Sequence, residues 1–342
     1  MSRGAFLALA SAALFGASTP LAKALIGAVA PWLLAGLLYL GSGVGLFIAS
    51  FAMKGREAPL HRSDLPWLGA IVLAGGVIGP VCLMFGLAAT PASSASLLLN
   101  LEGVLTLAIA WTLFRENVDM RIGAGAAAIL LGAGLLSWNG PAQGFGWGDL
   151  AIAAACLAWA IDNNLTRKLS SADPLQVAMV KGLAAGAVNV VLALVLGAAW
   201  PGAGTILAAG ALGFMGYGVS LALFVLALRH LGTARTSAYF SIAPFVGAAL
   251  AIALFGEPVT PVFVAAAGLM AIGLYLHLAE RHAHEHTHDT LVHEHRHEHD
   301  AHHRHAHAPG DPPGEPHSHV HAHARLVHSH PHFPDIHHRH SH

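Results

Sequence analysis

"TPASSASLLLNLEGVLTLAIAWTLFRENV", residues 90–118, decides the fold, because the chain carries it twice. Residues 231–259 read "LGTARTSAYFSIAPFVGAALAIALFGEPV" and align with it without a gap, at an offset of 141. Small residues fall at the start of both copies. Phe114 matches Phe255, Glu116 matches Glu257 and Val118 matches Val259. A second pair supports the first: "ALFGASTPLAK" (13–23) resembles "LAWAIDNNLTRK" (157–168), with Lys23 over Arg167. A fixed-offset repeat this long means two copies of one structural unit.

The composition says where those units sit. The chain has 342 residues, 55% hydrophobic and only 10% charged. Ordinary soluble domains are about 25% charged, so this chain cannot cover itself with a water-compatible surface and reads as a membrane protein. A net charge of −1 argues against nucleic acid as a partner. Cys82 and Cys156 lie inside apolar runs and read as small core residues, not a disulfide. The start, with Arg3 ahead of an apolar run, has the look of a signal peptide. The run leads straight into more apolar sequence, so it reads as a first span that stays, with cleavage as the alternative.

Pro, Gly and charge divide the apolar part into ten segments: 4–26, 32–53, 66–88, 93–114, 121–139, 148–167, 174–198, 205–228, 234–255 and 260–279. Each can cross a ~30 Å hydrocarbon core as a helix. Arg3, Lys54, Arg56, Arg62, Arg115, Arg121, Arg167, Lys168, Arg229 and Arg235 all fall in alternate connections. The intervening ones, "GAVAP", "ATPAS", "NGPAQGFGWG", "AAWPGAGT" and "GEPVTP", hold no Lys or Arg. Basic residues stay on the cytoplasmic side. Both termini are therefore expected in the cytoplasm, in a bacterial-type inner membrane. Lys23, on the other side, is expected to snorkel to the headgroups. Trp138, Trp147 and Trp200 fit an aromatic belt at the outer ends of spans. Glycines four apart (Gly41 and Gly45, Gly75 and Gly79, Gly182 and Gly186) mark close helix packing, within one chain or across a homodimer.

The expected fold class is an all-α polytopic membrane protein: ten transmembrane helices as two inverted five-helix repeats, residues 1–139 and 140–280, plus a disordered tail, 281–342. Five is odd, so the second repeat enters the bilayer from the opposite face. Inverted repeats are a transporter architecture with the substrate site near the midplane.

The repeated elements resemble the EamA family of the drug/metabolite transporter superfamily. The resemblance rests on the Phe15-Gly16 and Trp159-Ala160 steps and on the small-rich fourth helices ending in "FRE" and "FGE". It covers residues 1–280. It implies a ten-helix secondary carrier whose relatives move amino acids, metabolites, drugs or nucleotide sugars. One feature departs: the proline expected midway along each fourth helix is present as Pro244 but is Gly103 in the first half.

Ionisable side chains at depth cost at least ~2.5 kcal/mol and default to functional candidates. Glu102 is the deepest, beside Asn100. It reads either as a proton or cation site or as a neutral carboxyl bonded to a neighbouring helix. Asp162, Asn163 and Asn164 form a second cluster, with Lys181 at similar depth. Asp162 and Lys181 read as an interhelical ion pair or as substrate contacts. Asn189 reads as helix–helix glue, and Glu116 and Glu257 as caps or gates. No Walker loop, catalytic triad, HExxH or CxxC pattern occurs, so the chain reads as no enzyme, and transport needs no cofactor.

The last 62 residues are a different material. From Arg281 on they hold 23 of the 26 histidines, many as His-x-His: His282, His284, His286 and His288; His293, His295, His297 and His299; His317, His319, His321 and His323. Low apolar content implies disorder. Neutral imidazoles gather divalent transition metals such as Ni, Co, Zn or Cu without selecting among them. A cytoplasmic metal-collecting tail makes efflux of Ni, Co or Zn, driven by a proton or ion gradient, the leading expectation. The runner-up is export of an amino acid or other small metabolite, with the tail as metal buffer or sensor. A third reading is a membrane-tethered metal store.

Overall fold

The computed structural model describes residues 3–51, 60, 62–114, 120–138, 145–166, 169, 173–231 and 233–278, and in the tail 282–288, 291–297, 317–323 and 326–332. Among the first 280 residues, those described form ten helical rods. They are α1 (Arg3–Leu25), α2 (Pro31–Ser50), α3 (Arg62–Ala89), α4 (Ala92–Leu113), α5 (Met120–Ser137), α6 (Trp147–Thr166), α7 (Pro174–Val195), α8 (Ala203–Ala227), α9 (Thr236–Phe255) and α10 (Pro261–Leu278). Eight of these are long and apolar enough to span a bilayer. Helix α6 has the length but carries Asp149 and Asp162, and α10 is apolar but short. The protein is an all-α polytopic membrane protein.

Local chemistry sets the starts and stops. Pro31 and Pro174 open α2 and α7, where a missing N–H costs nothing. Asp173 caps α7 by accepting from Leu175 N at 2.9 Å. The fourth and ninth helices are both broken midway. α4 consists of Ala92–Leu98 and Leu101–Phe114; in the other half, Thr233–Phe240 is followed by Ala243–Phe255. Pro244 explains the second break, since it cannot donate back along the helix. The first break forms without proline. Asn100 N bonds Leu97 O at 3.1 Å, and the Asn100 amide takes the same carbonyl at 2.8 Å. That carbonyl is then engaged by residue 100 and not by the next turn. The absence of proline at Gly103 thus leaves the interruption in place.

Packing follows the repeat. α2 lies on α7 and α5 on α10, each helix against its own counterpart. α1 packs on α8 and α9, and α6 packs on α3 and α4, which is the same pattern with the halves exchanged. Ser11 and Ser220 bond each other's backbone carbonyls across α1 and α8, at 2.7 and 2.9 Å. The glycine pairs all serve contacts inside this chain: a Cβ on Gly41 would strike Gly210, one on Gly182 would strike Gly43, and one on Gly186 would strike Leu40. Both halves also carry a π-helical stretch in the third helix, Val72–Ile78 in α3 and Phe214–Val219 in α8, again near the 141-residue offset.

In the tail the backbone traces four seven-residue strands, β1 (His282–His288), β2 (Leu291–His297), β3 (His317–His323) and β4 (Leu326–His332). β1 pairs antiparallel with β4, and β2 with β3. Composition alone implies disorder there; along a strand the two-residue alternation of His puts the imidazoles of each strand on one face. Two-stranded ribbons are marginal in water by themselves.

Candidate functional site

The break in α4 places Glu102 in the first turn of its second segment. A helix interrupted near the middle of a span is how transporters build midplane sites, and a carboxyl in the first turn of the second segment lies at its positive end. Glu102 Oε1 accepts from Asn163 Nδ2 at 2.8 Å, and Asn163 also reaches Thr106 Oγ1 at 3.4 Å. This contact joins α4 of the first half to α6 of the second. One residue on, Asn164 donates to Ala160 O at 2.9 Å and to Thr106 O at 3.2 Å. Its own Oδ1 is buried without a partner. Asn163 is exposed although it lies well inside its helix.

On the other side of α6, Asp162 forms an ion pair with Lys181 of α7. The Asp162 side chain is 6% exposed and that of Lys181 20%. Thr166 donates to the other Asp162 oxygen at 3.3 Å. Gly75 makes the space: a Cβ there would collide with the Asp162 carboxylate. Gly75 lies in the π-helical stretch, and its carbonyl accepts from Tyr39 Oη at 2.8 Å and Trp159 Nε1 at 3.0 Å. The next carbonyl, of Gly76, accepts from Asn189 at 3.1 Å, and Asn189 in turn accepts from Trp32 at 3.2 Å. A π-bulge displaces carbonyls from the regular ladder, and such bulges gather at functional sites. Beyond Tyr39 the wall turns aromatic. Tyr39 and Tyr217 lie 5.7 Å apart, Tyr217 and Phe15 5.9 Å, and Phe15 and Phe240 5.4 Å between ring centres.

The structure therefore brings Glu102, Asp162, Asn163 and Lys181 into one region around α6. Asn100 is not among them; it turns to Leu97 O and to Met270 Sδ at 3.9 Å. Tyr39, Thr106 and Trp159 join the site without having stood out as intramembrane charges do. Lys23 lies in the last turn of α1. It binds the carbonyls of Leu87 and Thr90, the latter at 3.0 Å, because helix-end carbonyls need donors and lie within reach. Glu257 is a cap: its two oxygens accept from Ala92 N at 2.7 Å and Ser93 N at 2.9 Å. Glu116, its counterpart, lies outside the described residues. Among the described residues no three His, Cys, Asp or Glu side chains group as metal ligands.

A multi-helix membrane bundle with a polar cluster at a broken helix defines the class: a transport protein. The EamA-like transporter family matches residues 2–138 and again 146–279, and the chain belongs to it. It is 28% identical to an uncharacterised transporter of Methanothermobacter thermautotrophicus over 71% of this chain and 77% of that protein. It is 25% identical to the uncharacterised inner membrane transporter YedA of Escherichia coli, over 73% and 84%. Over 80% and 94%, it is 29% identical to a protein of Salmonella typhimurium named a probable amino-acid metabolite efflux pump. A solved crystal structure shares the fold, with a TM-score of 0.60 over 81% of this chain and 96% of that one, at 22% identity.

Proposed function

We propose that the chain exports a small zwitterionic metabolite of the amino-acid type, driven by a proton or ion gradient. The observation that carries this reading is the pairing of opposite charges in one region: Asp162 with Lys181, next to Glu102 with Asn163. A zwitterion presents one ammonium and one carboxylate, and each has a complement here. Glu102, bridging the halves, is the candidate coupling site, exchanging a proton for substrate. The similarity to a probable amino-acid metabolite efflux pump supports the same class of cargo. The basic residues in alternate connections favour cytoplasmic termini.

Metal efflux, the leading expectation from the tail, finds no support in the bundle, where the described side chains offer no cluster of metal ligands. The tail fits better as an accessory that binds Ni, Co, Zn or Cu. Its register supports this: His282 stands opposite His332, His284 opposite His330 and His286 opposite His328 in one ribbon; His293 opposite His321, His295 opposite His319 and His297 opposite His317 in the other.

Proteoliposomes test both readings. Vesicles loaded with labelled amino acids should release them faster under a pH gradient with the parent protein, and Glu102→Gln should lose that response to the gradient. Radioactive nickel or zinc that crosses in the same vesicles, while no amino acid does, would overturn the proposal.

A further inference from the structure

A carrier must open to both faces in turn, so the contacts that hold one face shut have to be breakable. Three side chains converge on one turn, the link between α3 and α4, at the face opposite the N-terminus. Glu257 reaches it from the end of α9, Lys23 from the end of α1 and Asp149 from the first turn of α6.

Each contact answers a local need. The first amides of α4 have no side-chain cap of their own, because Pro91 occupies the N-cap position. Glu257 supplies the cap from the other half of the chain, with one oxygen to each amide. Gly256 makes the reach feasible: its left-handed conformation, φ 62°, ends α9 and turns the chain. Lys23 binds the carbonyls at the end of α3. Thr90 donates to Asp149 at 3.2 Å. The signs are complementary, carboxylate at a helix start and ammonium at a helix end. Two of the three holders, Glu257 and Asp149, belong to the second half and the turn belongs to the first. The turn is also buried, with Ala92 0% and Ser93 4% exposed. Its amides cannot lose Glu257 without water entering to replace it.

We propose that Glu257, assisted by Lys23, is the latch of the gate at this face, and that transport requires its bonds to the α3–α4 turn to break. Latched, the face is closed; released, the halves separate there and water reaches the site.

The test reads access directly and needs no substrate. On a background with Cys82 and Cys156 replaced by Ala, a reporter cysteine replaces Thr19, buried at 3% one turn below Lys23. A second protein carries its reporter at Thr166, toward the opposite end of α6. A membrane-impermeant thiol reagent is applied to each face of oriented vesicles. In Glu257→Ala the Thr19 reporter should label from the latch face on the order of tenfold faster, the response to losing ~1.4 kcal/mol from the closed state. The Thr166 reporter should label more slowly from the opposite face, since opening one side closes the other. Lys23→Gln should shift both in the same directions by less. A cap that only stabilises α4 would leave the two rates uncoupled. Unchanged rates in folded Glu257→Ala, or both rates rising together, would overturn the proposal. The pair Glu257→Cys with Ser93→Cys offers an independent check: oxidation should hold the Thr19 reporter unreactive, and reduction should restore its labelling. Continued labelling of the oxidised protein would equally overturn it.

Discussion

Asn in place of Asp162 separates a structural ion pair from a substrate site. The Asp162 side chain is 6% exposed and Lys181 20%, so both charges are largely out of water. Removing one partner of a buried pair costs ~3–5 kcal/mol, because the other charge is left stranded. Lys181 keeps some exposure and a flexible stem, so Asp162→Asn belongs at the low end, about 3 kcal/mol. Lys181→Met strands a carboxylate pressed against Gly75 and should cost more, about 4 kcal/mol. At roughly 2 °C per kcal/mol for a chain of this size, the two Tm values fall by about 6 and 8 °C. The double variant strands nothing and should recover to within about 1–2 kcal/mol of the parent. Thermal unfolding in detergent gives the four stabilities, and amino-acid efflux from vesicles gives the four activities. A double variant that is stable but cannot transport means that the charges meet the substrate. A stable double variant that transports normally would refute the assignment of the pair to the site.

Glu102→Gln should keep its bond to Asn163, leave Tm within about 1 kcal/mol of the parent, and abolish the pH dependence of efflux; retained dependence would move the coupling group elsewhere. Gly75→Ala should inactivate the carrier, since its Cβ meets the Asp162 carboxylate, whereas Gly103→Ala should be silent, having nothing within 4 Å. Comparing their transport rates checks the packing of α3 on α6. Truncation after Glu280 should remove metal binding in titration calorimetry and leave the unfolding temperature of the bundle unchanged.

The scaffold was legible because it is periodic and repeated. Spans needed only runs of apolar residues, and the inversion needed only an odd count of helices. The fourth-helix break was half legible: Pro244 announces one, but the break before Gly103 depends on how the Asn100 side chain competes for Leu97 O, which no spacing reveals. Charges at depth pointed to Glu102, Asp162 and Lys181 because each is costly wherever it is placed, and Asn163 stood out as the neighbour of Asp162. Neutral groups carry no such mark. Tyr39 and Trp159 meet at the Gly75 carbonyl from helices far apart in sequence, and only the fold brings them together. Lys23 is legible in part. Its place near a span end suggested the headgroups, but only the fold reveals that the carbonyls of Leu87 and Thr90 come within its reach.

The two halves share a scaffold and do not share chemistry. Under the 141-residue offset Glu102 falls on Ala243, Asn100 on Ser241 and Gly103 on Pro244. Both halves have the π-helical third helix and the broken fourth, the features that let a helix bend. If the carrier alternates between two open states, hinges at matching places in the two halves would bring those states near in energy, and the carboxyl at the α4 break, present once, would bias them. A ligand or proton shifts such a balance only by its differential affinity for the two states. An Ala243→Glu substitution tests this: a second carboxyl at the symmetric position, with the reporters described above, should move the ratio of labelling at the two faces. If the ratio is unmoved in a protein that still folds, the single carboxyl is not what sets the balance.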